Sequence, residues 1–138
     1  MAKIRGGVEV PKLSGCIRFY QQKGCVLIVA EIFGLPRENE AGFFGFHIHQ
    51  GESCSGTDFS ETGSHYNPVD QVHPKHAGDL PPLLCCRGNA YLAVKTDRFT
   101  VRDIIGKTVV IHSDPDDFHT QPAGNAGKKI ACGVICKG

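Results

Sequence analysis

GFFGFHIHQG, residues 42–51, places His47 and His49 two positions apart. In an extended strand alternate side chains share a face, so both imidazoles project to the same side. Such a face can grip a metal ion, because neutral imidazole is the commonest metal ligand among side chains. Downstream, HYNPVDQVHPKHAGD brings His65, His73, His76 and Asp79 within residues 65–79, and His112 follows in VVIHSD. Of the seven histidines only His119 lies outside these groups, and it is expected on an exposed loop.

Around this stretch lie further short β-prone segments, AKIRGGVEV, LSGCIRFYQ, CVLIVAEIF, NAYLAVKT, KTVVIHS and KKIACGVIC, punctuated by Gly, Pro and Asn. Gln22-Lys23-Gly24 reads as a hairpin turn between two of them. No window carries a helical apolar face of about eleven residues or more. The expected class is all-β, with short strands forming a sandwich or a barrel whose closure removes exposed edges. From about Gly51 to Gly88 the strand signal fades and Gly, Pro, Ser, His and Asp dominate. A structureless segment of that length inside a compact domain is usually functional.

The 138 residues suit one domain, 1–138, large enough for a real core. A formal net charge of +1 with interspersed signs leaves no basic stripe, so no nucleic-acid partner is expected. The apolar runs fall short of the roughly 20 residues of a membrane helix, so no membrane partner is expected either. MAKIRGG has no secretory leader pattern, and a cytoplasmic location is the expectation, with a trimmed leader as the alternative.

The loop histidines point to metal chemistry. His65, His73, His76 and Asp79 make a His3Asp set suited to a closed, tetrahedral and therefore structural zinc site. Only Pro74 and Lys75 separate His73 from His76. Two readings of that tight link stand open: Pro74 presets the turn that lets both imidazoles converge, or the short link distorts the tetrahedron. His47, His49 and His112 form an all-nitrogen set that suits copper and needs one more ligand from nearby.

GFHIHQG, GSHYNP, HAGDLPPL, VVIHSDPDD and GNAGKKIACGVI together resemble copper,zinc superoxide dismutase, in the family's order and over nearly the whole chain. The wording of HAGDLP and TQPAGNAG is similar to bacterial members. The resemblance implies an eight-stranded Greek-key β-barrel of immunoglobulin-like sandwich architecture with two long functional loops. It places copper on His47, His49, His65 and His112, and zinc on His65, His73, His76 and Asp79, so that His65 serves both ions. Asp116 matches the carboxylate that links a copper histidine to a zinc histidine, and Cys54 and Cys132 match an intrasubunit disulfide.

The implied reaction is disproportionation of superoxide to oxygen and hydrogen peroxide by alternating reduction and oxidation of the copper. Zinc acts as orienter and fixed charge, and His65 supplies a proton as it leaves and rejoins the copper. The implied partner is the superoxide anion; members of the family are monomers or dimers, and of these two alternatives a homodimer is the expectation. Lys129 stands where the family usually has arginine, keeping the charge but not the planar fork, so substrate docking is expected to be less well oriented. Lys128 reads as a surface charge. A non-catalytic copper/zinc-binding domain or copper carrier is the alternative of a different class, with Cys85 and Cys86 as its best support.

Seven cysteines leave at least one thiol without an intramolecular partner. Cys16, Cys25 and Cys136 lie in apolar strand patterns and are expected to be small buried hydrophobes. Cys85 and Cys86 are expected to be inert thiols rather than soft-metal ligands.

Overall fold

A computed structural model describes residues Met1–Gly138. Its strands are β1 Ala2–Gly6, β2 Ser14–Gln22, β3 Cys25–Phe33, β4 Phe43–Phe44, β5 Phe46–His49, β6 Leu83–Leu84, β7 Ala90–Thr96, β8 Thr108–His112 and β9 Lys129–Val134. A single turn of helix, α1 Val101–Ile104, and a 3-10 segment, Thr57–Thr62, complete the elements.

Period-two patterning accounts for most of this. Val26, Ile28, Ala30 and Ile32 of β3 are fully buried, and the residues between them are not. Each fully buried isoleucine contributes roughly 1.5–3 kcal/mol through the apolar surface it hides. β2 and β3 pair antiparallel from Ser14↔Phe33 to Gln22↔Cys25. That register leaves Lys23-Gly24 as a two-residue turn, with Gly24 at φ 76°.

One curled antiparallel sheet runs in the order β5-β8-β9-β1-β2-β3-β7. The short pair β4-β6 fills the gap between its two ends. Gly45 is the pivot: before it β4 pairs with β6, and after it β5 pairs with β8. A side chain at 45 would come within 2.7 Å of the Ala126 Cβ. Counting β4 and β5 as one bent strand, eight strands encircle the core, and the non-sequential neighbours β3-β7, β1-β9 and β5-β8 are Greek-key crossovers. The core packs Phe44, Phe46, Ile48, Ile4, Ile17, Ile28 and Ile111 among others. No helix is long and apolar enough to cross a membrane.

Two expectations need correction. The segment from Gly51 to Gly88 is not wholly structureless, for it contains the 3-10 turn and β6. Cys136 is exposed rather than buried, and Cys16 and Cys25 are only half-buried. Ile135, just past the end of β9, packs into the core at 1 % exposure, so the alternation turns the next residue, Cys136, to solvent.

Candidate metal centre

Phe46 and Ile48 face the core, so His47 and His49 necessarily face outward from the barrel. Both are nevertheless buried, at 0 % and 2 % exposure, because two loops lie over this face. The loop bearing His65, His73, His76 and Asp79 is stitched to the free edge of β5: the Tyr66 N–H donates to Ile48 O at 2.8 Å and the Ile48 N–H to Gly78 O at 2.8 Å. These bonds set His65 beside His49 and Asp79 beside His47. On the other flank Val109 and Ile111 of β8 face the core, so His112 alternates outward into the same group, and an extra residue in β9, Ile130, sets Lys129 opposite it.

Three imidazole nitrogens surround the carboxylate of Asp79. His65 Nδ1 lies 2.8 Å from Asp79 Oδ1, while His73 Nδ1 and His76 Nδ1 lie 3.1 and 3.2 Å from Oδ2. His65 Nδ1 and His76 Nδ1 are 3.3 Å apart. A tetrahedral zinc with metal–nitrogen bonds near 2.0 Å requires ligand–ligand edges of roughly 3.3 Å, so the spacing fits the ion. The tight His73–His76 link does not keep His73 out of this set.

The ligand atoms of His47, His49, His65 and His112 all lie within 4.8 Å of one another. His49 Nε2 and His112 Nε2 approach to 3.3 Å, and the His47 and His65 rings stack at 4.0 Å between centroids. His47 Nδ1, His65 Nε2, His73 Nδ1 and His112 Nδ1 are buried without a hydrogen-bond partner. Orphaned buried nitrogens are costly unless something binds them. Three of the four point into the two donor clusters, which is what a pair of cations would satisfy. His65 belongs to both clusters: its Nδ1 faces Asp79, and its Nε2 is the nitrogen left for the other histidines.

Asp116 ties the clusters from behind. It accepts from His47 Nε2 at 2.7 Å through Oδ2, and from His73 Nε2 at 2.8 Å and the Phe118 N–H at 2.7 Å through Oδ1. With their Nε2 protons donated to Asp116, both imidazoles present the Nδ1 lone pair to a metal. Burial alone would raise the Asp116 pKa, but the His47, His73 and Phe118 hydrogen bonds outweigh it and hold the carboxyl well below the usual carboxylate range. Burial likewise opposes ionisation of Asp79, and the His65 hydrogen bond with the surrounding imidazoles wins, lowering its pKa.

Among the histidines burial dominates in the opposite sense. It pushes His47 down to about 4, partly countered by the Asp116 hydrogen bond, and His112 down to about 3. His49 falls well below its ordinary value for the same reason. These rings are therefore neutral near pH 7, the form that ligates metal.

A cavity of about 460 Å³ opens onto His49, His65 and His112 and is rimmed by Lys129. The Lys129 ammonium donates to Thr62 Oγ1 at 2.8 Å and to Gly63 O at 3.0 Å, and burial lowers its pKa. Gly63 O also accepts from His49 Nδ1 at 2.8 Å. Lys128 points away, an exposed charge 3.7 Å from Glu9. Cys54 and Cys132 form a disulfide with 5.8 Å between Cα atoms. The His119 side chain is 80 % exposed, outside both clusters.

Sequence reasoning missed Thr62 and Gly63, which hold the lysine, and Gly124. A Cβ at Gly124, φ 69°, would strike the Asp116 carboxylate and His73 Nε2, the latter at 2.6 Å. The only sequence signal for Gly124 was its place in GNAG.

Residues 13–135 match the family model for copper/zinc superoxide dismutase (SODC). Over 139 aligned residues the chain is 35 % identical to Superoxide dismutase [Cu-Zn] 3 of Arabidopsis thaliana, covering 88 % of this chain and 81 % of that one. It is 38 % identical to Superoxide dismutase [Cu-Zn] 2 of Aquifex aeolicus (strain VF5), covering 80 % and 71 %. Among solved structures it superposes on a SOD-like protein from Bacillus subtilis with a TM-score of 0.81, at 26 % identity, over 97 % of this chain and 96 % of that one.

Proposed function

Because the chain belongs to the copper/zinc superoxide dismutase family, we propose that it converts two superoxide anions and two protons to oxygen and hydrogen peroxide with copper on His47, His49, His65 and His112. Zinc is assigned to His65, His73, His76 and Asp79. The observation that carries this reading is the His65 ring, whose Nδ1 meets the Asp79 cluster while its buried Nε2 is left unpartnered beside His47, His49 and His112.

When bound, copper supplies the one-electron couple and zinc a fixed positive charge beside the shared imidazole. The chain's residues do the rest. Lys129 has three ammonium donors, of which Thr62 and Gly63 occupy two, leaving one to receive the anion at the cavity rim. The positive charge in a narrow, low-dielectric cleft also raises encounter with a small anion. His65 Nε2 is the site that takes up a proton and passes it to the oxygen that becomes peroxide. Its Nδ1 stays directed at Asp79 throughout, so the ring keeps its orientation. Asp116 fixes the tautomers of His47 and His73 from behind.

The test is to load the protein with both metals and assay superoxide loss before and after removing copper alone. Loss that disappears with copper and returns with it is expected. Stoichiometric copper without turnover would select the non-catalytic metal-binding reading.

Lysine at 129 offers one directed hydrogen bond where a guanidinium would offer a fork. Lys129→Arg is expected to raise the second-order rate of superoxide removal by a factor of about three to ten, the worth of roughly one better-directed hydrogen bond. Stopped-flow decay at fixed ionic strength measures it, and an unchanged or lower rate would count against docking at residue 129.

A further inference from the structure

The link between His73 and His76 holds only Pro74 and Lys75, and it makes few bonds of its own. The Lys75 N–H donates to Val72 O at 2.7 Å and the Asp79 N–H to His76 O at 3.1 Å. The His76 N–H donates to Asp79 Oδ2 at 2.9 Å, while the N–H and carbonyl of His73 and the carbonyls of Pro74 and His76 meet two side chains from remote segments. Gln121, in the loop after β8, accepts from the His73 N–H at 2.9 Å through Oε1 and donates to His73 O at 2.8 Å through Nε2. This side-chain amide pairs with both polar groups of one residue, as a neighbouring strand would. Arg98, in the turn between β7 and α1, donates from Nη1 to Pro74 O at 2.8 Å and to His76 O at 3.0 Å.

Neither side chain is a ligand, and neither touches the cavity of the reacting centre. Both act on the backbone that carries two of the four zinc-cluster residues. A short link without a core of its own has a broad ensemble unless it is tied down, and ordering each backbone residue costs roughly 1–2 kcal/mol of conformational entropy. Bonds that are already made in the metal-free chain remove that cost from the binding step.

We propose that Gln121 and Arg98 are positioning residues that preorganise the 73–76 link from two sides, so that zinc meets His73 and His76 already converged on Asp79. The inference rests on the zinc assignment above and deepens it. Side chains that orient metal ligands from behind typically change metal affinity by about 10- to 100-fold when removed. Gln121→Ala and Arg98→Ala are each expected to weaken zinc about tenfold. Arg98→Lys keeps a cationic donor and is expected to stay within about threefold of the unaltered chain.

The experiment is zinc competition against a chromophoric chelator on full-length, disulfide-intact, metal-free protein, with the urea midpoint of the same samples. Absorption bands of the cobalt-substituted cluster report its geometry independently of turnover. Support is a zinc dissociation constant raised about tenfold in both alanine variants, altered cobalt bands, near-native affinity in Arg98→Lys and an almost unchanged metal-free urea midpoint. Affinities within twofold of the unaltered chain would overturn the proposal. A loss that tracks the metal-free midpoint, or that lysine at 98 fails to rescue, would reduce both residues to general fold supports and overturn it equally. Failure of the unaltered chain to take up one zinc would bring down the zinc assignment as well, which separates the two failures.

Discussion

Acidifying the metal-free, disulfide-intact protein from pH 7 to pH 4 is expected to cost it several kcal/mol of stability. In the unfolded chain His47 and His112 take up protons as the pH falls through 6.5, whereas in the native state burial holds them neutral down to about 4 and about 3. Between those values the unfolded state binds more protons, so stability rises with pH across this window and is lost as pH falls. For His47 alone the difference corresponds to about 3 kcal/mol. His49 adds in the same direction, though the contributions are not additive, because rings this close titrate as a set. Asp79 and Asp116 extend the loss at the acid end. Their carboxyls are held below the ordinary value, so the stability they provide is present above it and disappears as pH falls through the native values. Urea midpoints at half-unit pH steps measure the slope, and a midpoint independent of pH between 7 and 4 would show that the histidines are not buried as neutral rings. Bound metals compete with the protons, so the loaded protein should hold its midpoint to lower pH.

Opening the Cys54–Cys132 bond is the second large effect. The bridge spans a sequence separation of 78 residues, which corresponds to about 4 kcal/mol of constraint on the unfolded chain. Cys54→Ser in the metal-free protein is expected to lower the thermal midpoint by roughly 10 °C or more. The bond also joins the segment bearing Thr62 and Gly63 to β9, which bears Lys129. Superoxide removal by the loaded variant should therefore fall along with its stability. A midpoint within about 2 °C of the oxidised parent would mean that the bridge constrains little.

The strands were legible wherever one face packs on the core, because there the period of two is visible in the residues themselves. β3 and the Lys23-Gly24 turn are the clearest cases. β6 was not, since a strand of two leucines after two prolines has too few residues to show any period. Cys136 misled because it sits among apolar residues, yet its neighbour Ile135 takes the inward position of the alternation. At the site, the spacing of His47 and His49 was readable from strand geometry alone. The His3Asp set was readable from its spacing, whereas the sharing of His65 with the strand histidines, and Asp116, came only from the resemblance to a family. Gln121, Arg98, Thr62 and Gly63 were invisible to either approach. Their bonds run to residues 22 to 67 positions away, and nothing local marks an exposed glutamine as the partner of a particular main-chain amide.

The carbonyl oxygen of Gly63 serves two masters, the ring N–H of His49 and the ammonium of Lys129. A cation drawing on that oxygen leaves it a poorer acceptor for the imidazole proton, and the imidazole in turn becomes a weaker electron donor at its far nitrogen. Neutralising position 129 would thus alter both the pull on an incoming anion and the electron-giving power of His49, and a rate change could not be apportioned between them. Exchange for arginine conserves the charge on the shared oxygen, which makes it the cleaner probe of steering.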